Sequence, residues 1–406
     1  MSEYKNYIVC IASEHKGNDF LEECHEAGWH VTLVTKNKLL NEPWVWTSLN
    51  NVKTVDDNAK PEDYVRAITN IMGSQPIHRV VGLDEFDQIT AAMAREHLQL
   101  GGMSSSQVLR FRDKLTMRNI AESHGINCPE FIGAFNANDI NQYLDNVNPP
   151  WIVKPRHEVS AFGIRKCETK DEVWNQLTNL DNRNTWRDHP SQYLIEHFIV
   201  GDVYHVDSIV NDGKVLACGV SKYGKPPFAV THGGGVFTTS TVSYNSKERK
   251  ELEKINEQLL NAFNYQKGVT HAEFLHSAAD GKFYLLEVAC RVGGAYIANV
   301  HEYANGFNLW REWAKLEIAT EEKPYKLPKL RKEFAGVILS LARTDEPDTS
   351  TYDDKEIVYR VKKKKHVGLI VASKKHERVQ ELLDSYAERI THDFLEVAPA
   401  REHYDD

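Results

Sequence analysis

Residues 268–294 place the strongest constraint on how this chain folds. They read GVTHAEFLHSAADGKFYLLEVACRVGG. Two apolar runs, VTHAEFL and FYLLEVA, flank a glycine-containing segment at residues 278–282, a pattern that predicts a β-hairpin. Folding this hairpin about Asp280 brings Glu273 opposite Glu287, because each lies seven residues from Asp280.

Two opposed carboxylates need a compensating interaction. Directly opposed residues have Cβ atoms roughly 5 Å apart, and like charges at that separation destabilise a sheet. A hard divalent cation such as Mg²⁺, which proteins bind through one or two carboxylates plus substrate phosphates, offsets the repulsion. Arg291 and Gly293–Gly294 follow at once and supply a fixed cation and a flexible backbone beside the predicted metal. The alternative is a hairpin whose glutamates Glu273 and Glu287 both face water.

Composition narrows the classes of protein. With 406 residues the chain is long enough for two or three domains. The 49 Lys plus Arg against 58 Asp plus Glu give a net charge of -9, which argues against a nucleic-acid binder but leaves room for a local basic groove. The six cysteines are scattered without a CxxC pair, so we expect a cytoplasmic protein without a disulfide framework or structural zinc. We find no secretory signal and no apolar run near the roughly 18 residues of a membrane span.

The start of the chain has β-α-β order. The apolar run at residues 7–12 (YIVCIA) predicts a buried parallel strand, and a second strand follows at residues 30–35. Alternating strands and helices over residues 1–103 predict a small doubly wound α/β domain, without a GxGxxG dinucleotide fingerprint. Asp84 and Glu85 follow a predicted strand, where such sheets bind ligands, although capping of the next helix is the favoured interpretation.

Two lysines occupy positions that favour a bound anion. Lys114 lies in the first turn of a helix predicted over residues 113–124, where the helix dipole prefers anions to cations. Lys154 lies in a strand predicted at residues 151–155 (WIVKP), and a buried lysine is costly unless it is paired. Lys114 is therefore either solvated or directed at a bound phosphate, whereas Lys154 requires an anion as its partner.

Two loops have small residues suited to phosphate or oxyanion contact. The first, residues 156–164, contains Ser160, Ala161 and Gly163, and is either a mobile loop or an ordinary hairpin connection. The second contains His232 and the triglycine Gly233–Gly235, whose backbone can approach an oxyanion closely or merely be flexible.

Together, in this order, these motifs resemble the ATP-grasp superfamily over about residues 110–313. The resemblance rests on RDK (112–114), IVKP (152–155), the small-residue loop, EHFIVG (196–201), HAEF (271–274) and LLEVACRVGG (285–294). Residues 287–294 are also similar to the L-amino acid ligases. The implied fold class is mixed α/β and α+β: a Rossmann-like domain (1–103), a two-part ATP-grasp core (104–325, with a lid at about 120–200) and a small C-terminal α+β domain (326–406).

The resemblance also assigns roles to residues. It implies that Lys114, Lys154 and the loop with Ser160 hold ATP phosphates, that Glu196, Phe198 and Ile199 read the adenine edge, and that Glu273 and Glu287 bind Mg²⁺, with Mn²⁺ as an alternative. Arg291 and the backbone at Gly294 would steady an acyl phosphate, and His232 would orient substrate or move a proton. The family often has Glu where Val203 stands, so Asp202 or His205 is expected to contact the ribose, and Ala289 replaces a frequent metal-site Asn.

The implied activity is that of an ADP-forming carboxylate–amine ligase that acts through an acyl phosphate and joins amino acids into a dipeptide. The expected partners are small-molecule carboxylates and amines, with no nucleic acid or membrane; the oligomeric state is open, with a homodimer as one option. Two alternatives remain: a ligase for bicarbonate or a purine-type carboxylate, and a non-catalytic ATP-binding module.

Overall fold

The computed structural model describes residues 5–159, 161–228, 230 and 235–397. Its first sheet is parallel, with strand order β3-β2-β1-β4. The elements of this part are Tyr7–Ala12 (β1), Asn18–Glu26 (α1), His30–Lys36 (β2), Asn51–Val55 (β3), Pro61–Met72 (α2), Arg79–Gly82 (β4) and Asp87–His97 (α3). Every residue of β1 is buried, as its continuous apolar run predicts. The predicted doubly wound start is confirmed.

Strand order in this sheet reverses next to β1, which pairs with β2 on one side and β4 on the other. The carboxyl ends of two such strands form a crevice where α/β sheets bind ligands. Lys16, which follows β1, and Asp84 and Glu85, which follow β4, lie at this crevice.

A second sheet is antiparallel, with order β5-β8-β6-β7. This part of the chain comprises Ser105–Leu109 (α4), Lys114–Ser123 (α5), Phe131–Gly133 (β5), Ala137–Asn146 (α6), Trp151–Pro155 (β6), Arg165–Cys167 (β7), Lys170–Asp181 (α7) and Tyr193–His197 (β8). One face carries its own apolar core around Trp151 and Val153, covered by α6 and α7. Strands β6 and β7, which flank residues 156–164, pair antiparallel, so the chain reverses direction between them.

The third and largest sheet has eight antiparallel strands in the order β13-β12-β9-β10-β11-β14-β16-β15. Its strands are Gly201–Asn211 (β9), Lys214–Tyr223 (β10), Phe237–Thr241 (β11), Gly268–Ser277 (β12), Phe283–Ala289 (β13), Phe334–Leu341 (β14), Ile357–Arg360 (β15) and His366–Ser373 (β16). The accompanying helices are Lys247–Ala262 (α8), Ile297–Asn305 (α9), Leu309–Ile318 (α10) and His376–Asp393 (α11). Because β11 pairs with β14, the sheet runs through the boundary expected near residue 326. The domain limits themselves stay predictions.

The hairpin that anchors the sequence interpretation is β12–β13. Glu273 pairs with Glu287, as the position of the turn predicts. A β-bulge follows immediately, because Phe274 pairs with Leu285 and leaves Leu286 as the extra residue.

Two compositional expectations are also tested. All six cysteines are free thiols, as their scattered spacing predicts. Within the described residues, no helix combines the length and the apolar character that crossing a membrane requires.

Candidate active site

A cavity of about 640 Å³ is lined by residues of the second and third sheets, by their connecting segments, and by the segments that follow β1 and β4 of the first sheet. This volume falls within the roughly 300–1,000 Å³ range of small-molecule sites. Charged residues in its wall include Lys16, Asp84, Glu85, Lys114, Lys154, Glu196, Glu273, Glu287 and Arg291. The cavity therefore gathers most of the residues that the sequence predicts for one site.

Glu273 and Glu287 line this cavity from adjacent strands. The Glu273 side chain is mostly buried, and its Oε1 accepts a hydrogen bond of 2.6 Å from the Tyr223 hydroxyl and lies 3.4 Å from His271 Nε2. Burial raises the pKa of Glu273, but the hydrogen bond and charge of His271 outweigh it, so the net pKa shift is downward. Both glutamates thus offer carboxylate oxygens to one space, the donor set that Mg²⁺ prefers.

Lys114 stands beside the second glutamate. Asp113 caps α5 by accepting from the N–H groups of Leu115 and Thr116, which places Lys114 at the first helical position. Lys114 Nζ lies 3.0 Å from Glu287 Oε2 and donates to the carbonyl of Glu158 at 2.6 Å. This lysine is buried in the cavity wall, so the solvated alternative is wrong.

Lys154 belongs to a buried triad of charges. Glu196 Oε2 lies 2.6 Å from Lys154 Nζ, and Glu196 Oε1 accepts from Arg118 Nε at 2.6 Å. Burial lowers the pKa of Lys154 to about 8, although Glu196 opposes the shift. Two cations share one carboxylate here, so the triad retains a positive charge that an anionic ligand can neutralise.

Arg291 and Arg112 are joined by Glu85. Arg291 Nε and Nη2 lie 2.9 and 2.5 Å from Glu85 Oε2, and Arg112 Nη1 donates to Glu85 Oε1. Burial raises the pKa of Glu85, but the charges of Arg291 and Arg112 hold it well below its usual value. This fixed ion pair orients the Arg291 guanidinium in the cavity wall.

Asp84 also differs from the favoured sequence interpretation. The next helix begins at Asp87 without a side-chain cap, and Asp84 instead pairs with Lys16 in the cavity wall. Asp84 Oδ1 also accepts a hydrogen bond of 3.3 Å from the N–H of Phe86, one residue before the helix, so Asp84 supports the helix start without being its cap, and both Asp84 and Glu85 lie in the cavity wall.

An apolar strip lies at the expected adenine position. Phe198 and Ile199 line the cavity together with Ile152 and Leu286. The N–H of Phe198 donates to the carbonyl of Pro150 at 2.9 Å, which restricts polar recognition through Phe198 to its carbonyl group. The side chain of Glu196 is committed to Lys154 and Arg118, so its contribution here is to hold the lysine.

Three further predicted residues have different outcomes. Gly294 lines the cavity, next to Arg291. Ser160 and His232 lie outside the described residues, so their predicted roles stay predictions.

His205 was expected to contact the ribose, but it does not line the cavity. It is buried, with Nδ1 2.6 Å from Asp207 Oδ2 and Nε2 2.7 Å from Thr239 Oγ1. Asp202, the other candidate, is exposed and pairs with Lys222 at 2.7 Å. Neither residue lies in the cavity wall.

His205 belongs to a buried cluster that the sequence interpretation missed. Asp207 also contacts His271, with Nδ1 to Oδ1 2.8 Å, and His301, with Nε2 to Oδ2 3.0 Å. Burial raises the pKa of Asp207, but the charges of His205 and His271 hold it well below its usual value. The sequence does carry a signal, since His205 and Asp207 are two residues apart on one strand and share a face.

Arg118 was missed as well, although its spacing is informative. It lies four residues after Lys114 on α5, and residues at that spacing share one face of a helix. Its side chain is fully buried and also donates to the carbonyl of Leu286 at 2.7 Å.

Comparisons with known proteins agree with this geometry. Residues 147–299 match the family model of an ATP-grasp domain. An L-arginine-specific L-amino acid ligase of Bacillus subtilis is 22% identical over 269 residues, covering 66% of this chain and 64% of that protein. The chain thus spans less than two thirds of that relative's length. The carbamoyl phosphate synthase large chain of Vibrio cholerae is 19% identical over 80% of this chain, which corresponds to 29% of that protein.

A solved structure extends the likeness to nearly the whole chain. The L-amino acid ligase from Bacillus licheniformis has a TM-score of 0.75 at 17% identity, covering 98% of this chain and 99% of that one. At this identity the likeness establishes the fold, and the expected mixed α/β architecture is confirmed. Residues 147–299 therefore form an ATP-grasp domain, and the chain as a whole has the fold of the solved L-amino acid ligase.

Proposed function

We propose that this protein is an ADP-forming carboxylate–amine ligase that joins amino acids. The observation that carries the proposal is the juxtaposition of Glu273 and Glu287 in one cavity with Lys114, Lys154 and Arg291. The L-amino acid ligases among the relatives and solved structures support the choice of amino acids as substrates.

The charges of the cavity suit a nucleoside triphosphate. Phosphoryl transfer depends on positioning and charge neutralisation more than on covalent groups from the protein. Lys114 and Lys154 supply two positive side chains in the wall, and the apolar strip at Phe198 and Ile199 offers a surface for the base. Mg²⁺ held by Glu273 and Glu287 would supply the remaining neutralisation of phosphate charge.

The reaction proceeds in two displacements. A carboxylate oxygen of the first substrate attacks the γ-phosphorus of ATP, the bond to the β-phosphate oxygen breaks, and ADP leaves. The amine of the second substrate then attacks the acyl phosphate carbonyl, phosphate leaves, and the amine nitrogen loses a proton. Arg291 faces this space with its guanidinium held by Glu85, so it can stabilise negative charge on the acyl phosphate without reorganising.

Water must be kept from the acyl phosphate, since hydrolysis would waste ATP. The connection between β6 and β7 contributes Glu158, Ala161 and Phe162 to the cavity wall. The apolar side chains of Ala161 and Phe162 limit the access of solvent to this part of the cavity. This segment is the part of the wall that we assign to water exclusion.

The test is release of ADP and phosphate over a panel of paired amino acids, with amide products identified by mass spectrometry. We expect ADP and dipeptide in equal amounts for at least one pair. Glu287→Gln should abolish turnover, whereas Glu251→Gln, on an exposed position of α8, should not change it.

The panel also distinguishes the alternatives. Turnover with bicarbonate or a purine-type carboxylate, and not with amino acids, would identify another ligase of this fold. ATP binding without ADP release for any acid and amine would identify a binding module and contradict the proposal.

A further inference from the structure

A buried cluster of three histidines and one aspartate lies directly behind the cavity wall. His205, His271 and His301 each direct a ring nitrogen at the carboxylate of Asp207, at distances of 2.6, 2.8 and 3.0 Å. All four side chains are buried, and the exposed fraction of both Asp207 and His301 is 0%. The proposed ligase mechanism uses none of them.

Protons, rather than an ion, account for this geometry. The atoms of His205, Asp207 and His271 lie within 4.8 Å of one another, close enough to suggest a metal site. However, each nitrogen is at hydrogen-bond distance from an Asp207 oxygen, so an N–H group fills the space between them. A carboxylate has about four lone-pair sites and can accept all three hydrogen bonds.

His271 connects this cluster to the cavity. It pairs with Asp207 across strands β12 and β9, and its other nitrogen, Nε2, lies 3.4 Å from Glu273 Oε1. Asp207 therefore holds His271 in the orientation in which its Nε2 faces Glu273.

We propose that Asp207 is a positioning residue that, through His271, orients Glu273 as a ligand of the nucleotide-bound metal ion. The inference rests on the proposed function. The Tyr223 hydroxyl, which donates a hydrogen bond, and His271 Nε2, at 3.4 Å, both contact the same oxygen of Glu273, Oε1. This leaves the other carboxylate oxygen of Glu273, Oε2, to bind the metal ion. Hydrogen-bonded carboxylate ligands of this kind lose about 10-fold to about 100-fold in metal affinity or activity when their partner is removed.

The same cluster packs against the loop that carries Arg291. A Cβ at Gly293 would lie 2.9 Å from His271 Nδ1 and 3.1 Å from Asp207 Oδ1, so glycine allows this loop to approach the Asp207–His271 contact. Gly293→Ala therefore disturbs the contact sterically while every charge is retained. Its backbone φ does not lie in the left-handed region, so the added methyl group is the only perturbation.

The experiment measures Mn²⁺ binding in the presence of ADP by electron paramagnetic resonance, which needs no turnover. We expect Asp207→Asn and Gly293→Ala to weaken Mn²⁺ binding by about 10-fold to about 100-fold. His276→Gln, at a partly buried position on the same strand β12, should bind Mn²⁺ as the wild type does. Urea unfolding of each variant shows whether it is folded. If Asp207→Asn does not fold, Gly293→Ala still tests the proposal.

The outcomes separate the two proposals. If the wild type binds no Mn²⁺ with ADP, the proposed metal site at Glu273 and Glu287 fails, and the positioning role with it. If the wild type binds Mn²⁺ and both folded variants bind it equally well, only the positioning role of Asp207 is overturned. A stoichiometric transition metal in the purified protein that Asp207→Asn loses would also overturn it, because the cluster would then be a metal site.

Discussion

Two substitutions in the buried charge triad should separate its contribution to stability from its contribution to ATP binding. Lys154, Glu196 and Arg118 are 6%, 3% and 0% exposed, and the carboxylate of Glu196 serves both cations. Glu196→Gln leaves two buried cations without an anion, and removing one partner of a buried pair costs about 3–5 kcal/mol in unfolding free energy. Lys154→Met leaves the pair of Glu196 and Arg118 intact, so we expect a change within about 1 kcal/mol.

The same lysine variant should bind ATP poorly. A hydrogen bond to a charged group contributes about 1.5–3 kcal/mol, which corresponds to about 10-fold to about 150-fold in affinity. Urea unfolding measures the stability of both variants, and calorimetric titration with ATP at about pH 7 measures the affinity of Lys154→Met. Lys282→Met, at an exposed position of the hairpin turn, is the control and should change neither.

The triad account is refuted if Lys154→Met destabilises the protein as much as Glu196→Gln does. It is equally refuted if the folded Lys154→Met variant binds ATP with wild-type affinity. The expected pattern, a protein of near wild-type stability whose ATP affinity falls by about 10-fold to about 150-fold, identifies a lysine that serves binding and not stability.

Two other predictions concern ionisation and the arginine. In the protein without nucleotide the pKa of Lys154 is about 8. A bound triphosphate favours the charged lysine, so above about pH 8 ATP binding should be accompanied by proton uptake. The affinity for ATP should fall over the same pH range. Calorimetry in buffers of different ionisation enthalpy detects that proton, and an affinity that stays constant up to about pH 9 contradicts it. Arg291→Lys loses the two-pronged contact with Glu85 and should lower kcat by about 10²-fold to about 10³-fold with little change in the KM for ATP; a KM effect alone would show that Arg291 binds nucleotide instead.

The sequence predicted those parts of the site that depend on local pattern. The turn around Asp280 determines which residues of the hairpin face each other, so the pairing of Glu273 with Glu287 follows from counting along the chain. Strands β1 and β6 have the predicted bounds, because short apolar runs are local signals. The bulge after Glu273 was not predicted, since nothing in the apolar alternation marks it.

Contacts between distant segments were beyond local reasoning. Glu85 joins arginines 27 and 206 positions away, and nothing around residue 85 indicates either partner. The expected ribose contact at His205 was not found, because burial of this ring also depends on distant segments, among them the strand of Thr239, 34 positions later. Burial of a polar side chain depends on which strands become neighbours, and that is decided by the whole fold.

The central claim is that a substrate carboxylate is activated by phosphoryl transfer. The most direct test uses an amino acid substrate whose carboxylate carries ¹⁸O and measures the isotope in the released phosphate by mass spectrometry. An acyl phosphate transfers one labelled oxygen to phosphate for each amide bond formed, and Glu287→Gln should release no labelled phosphate. Amide formation with unlabelled phosphate would contradict the account, because the carboxylate would then have been activated in another way.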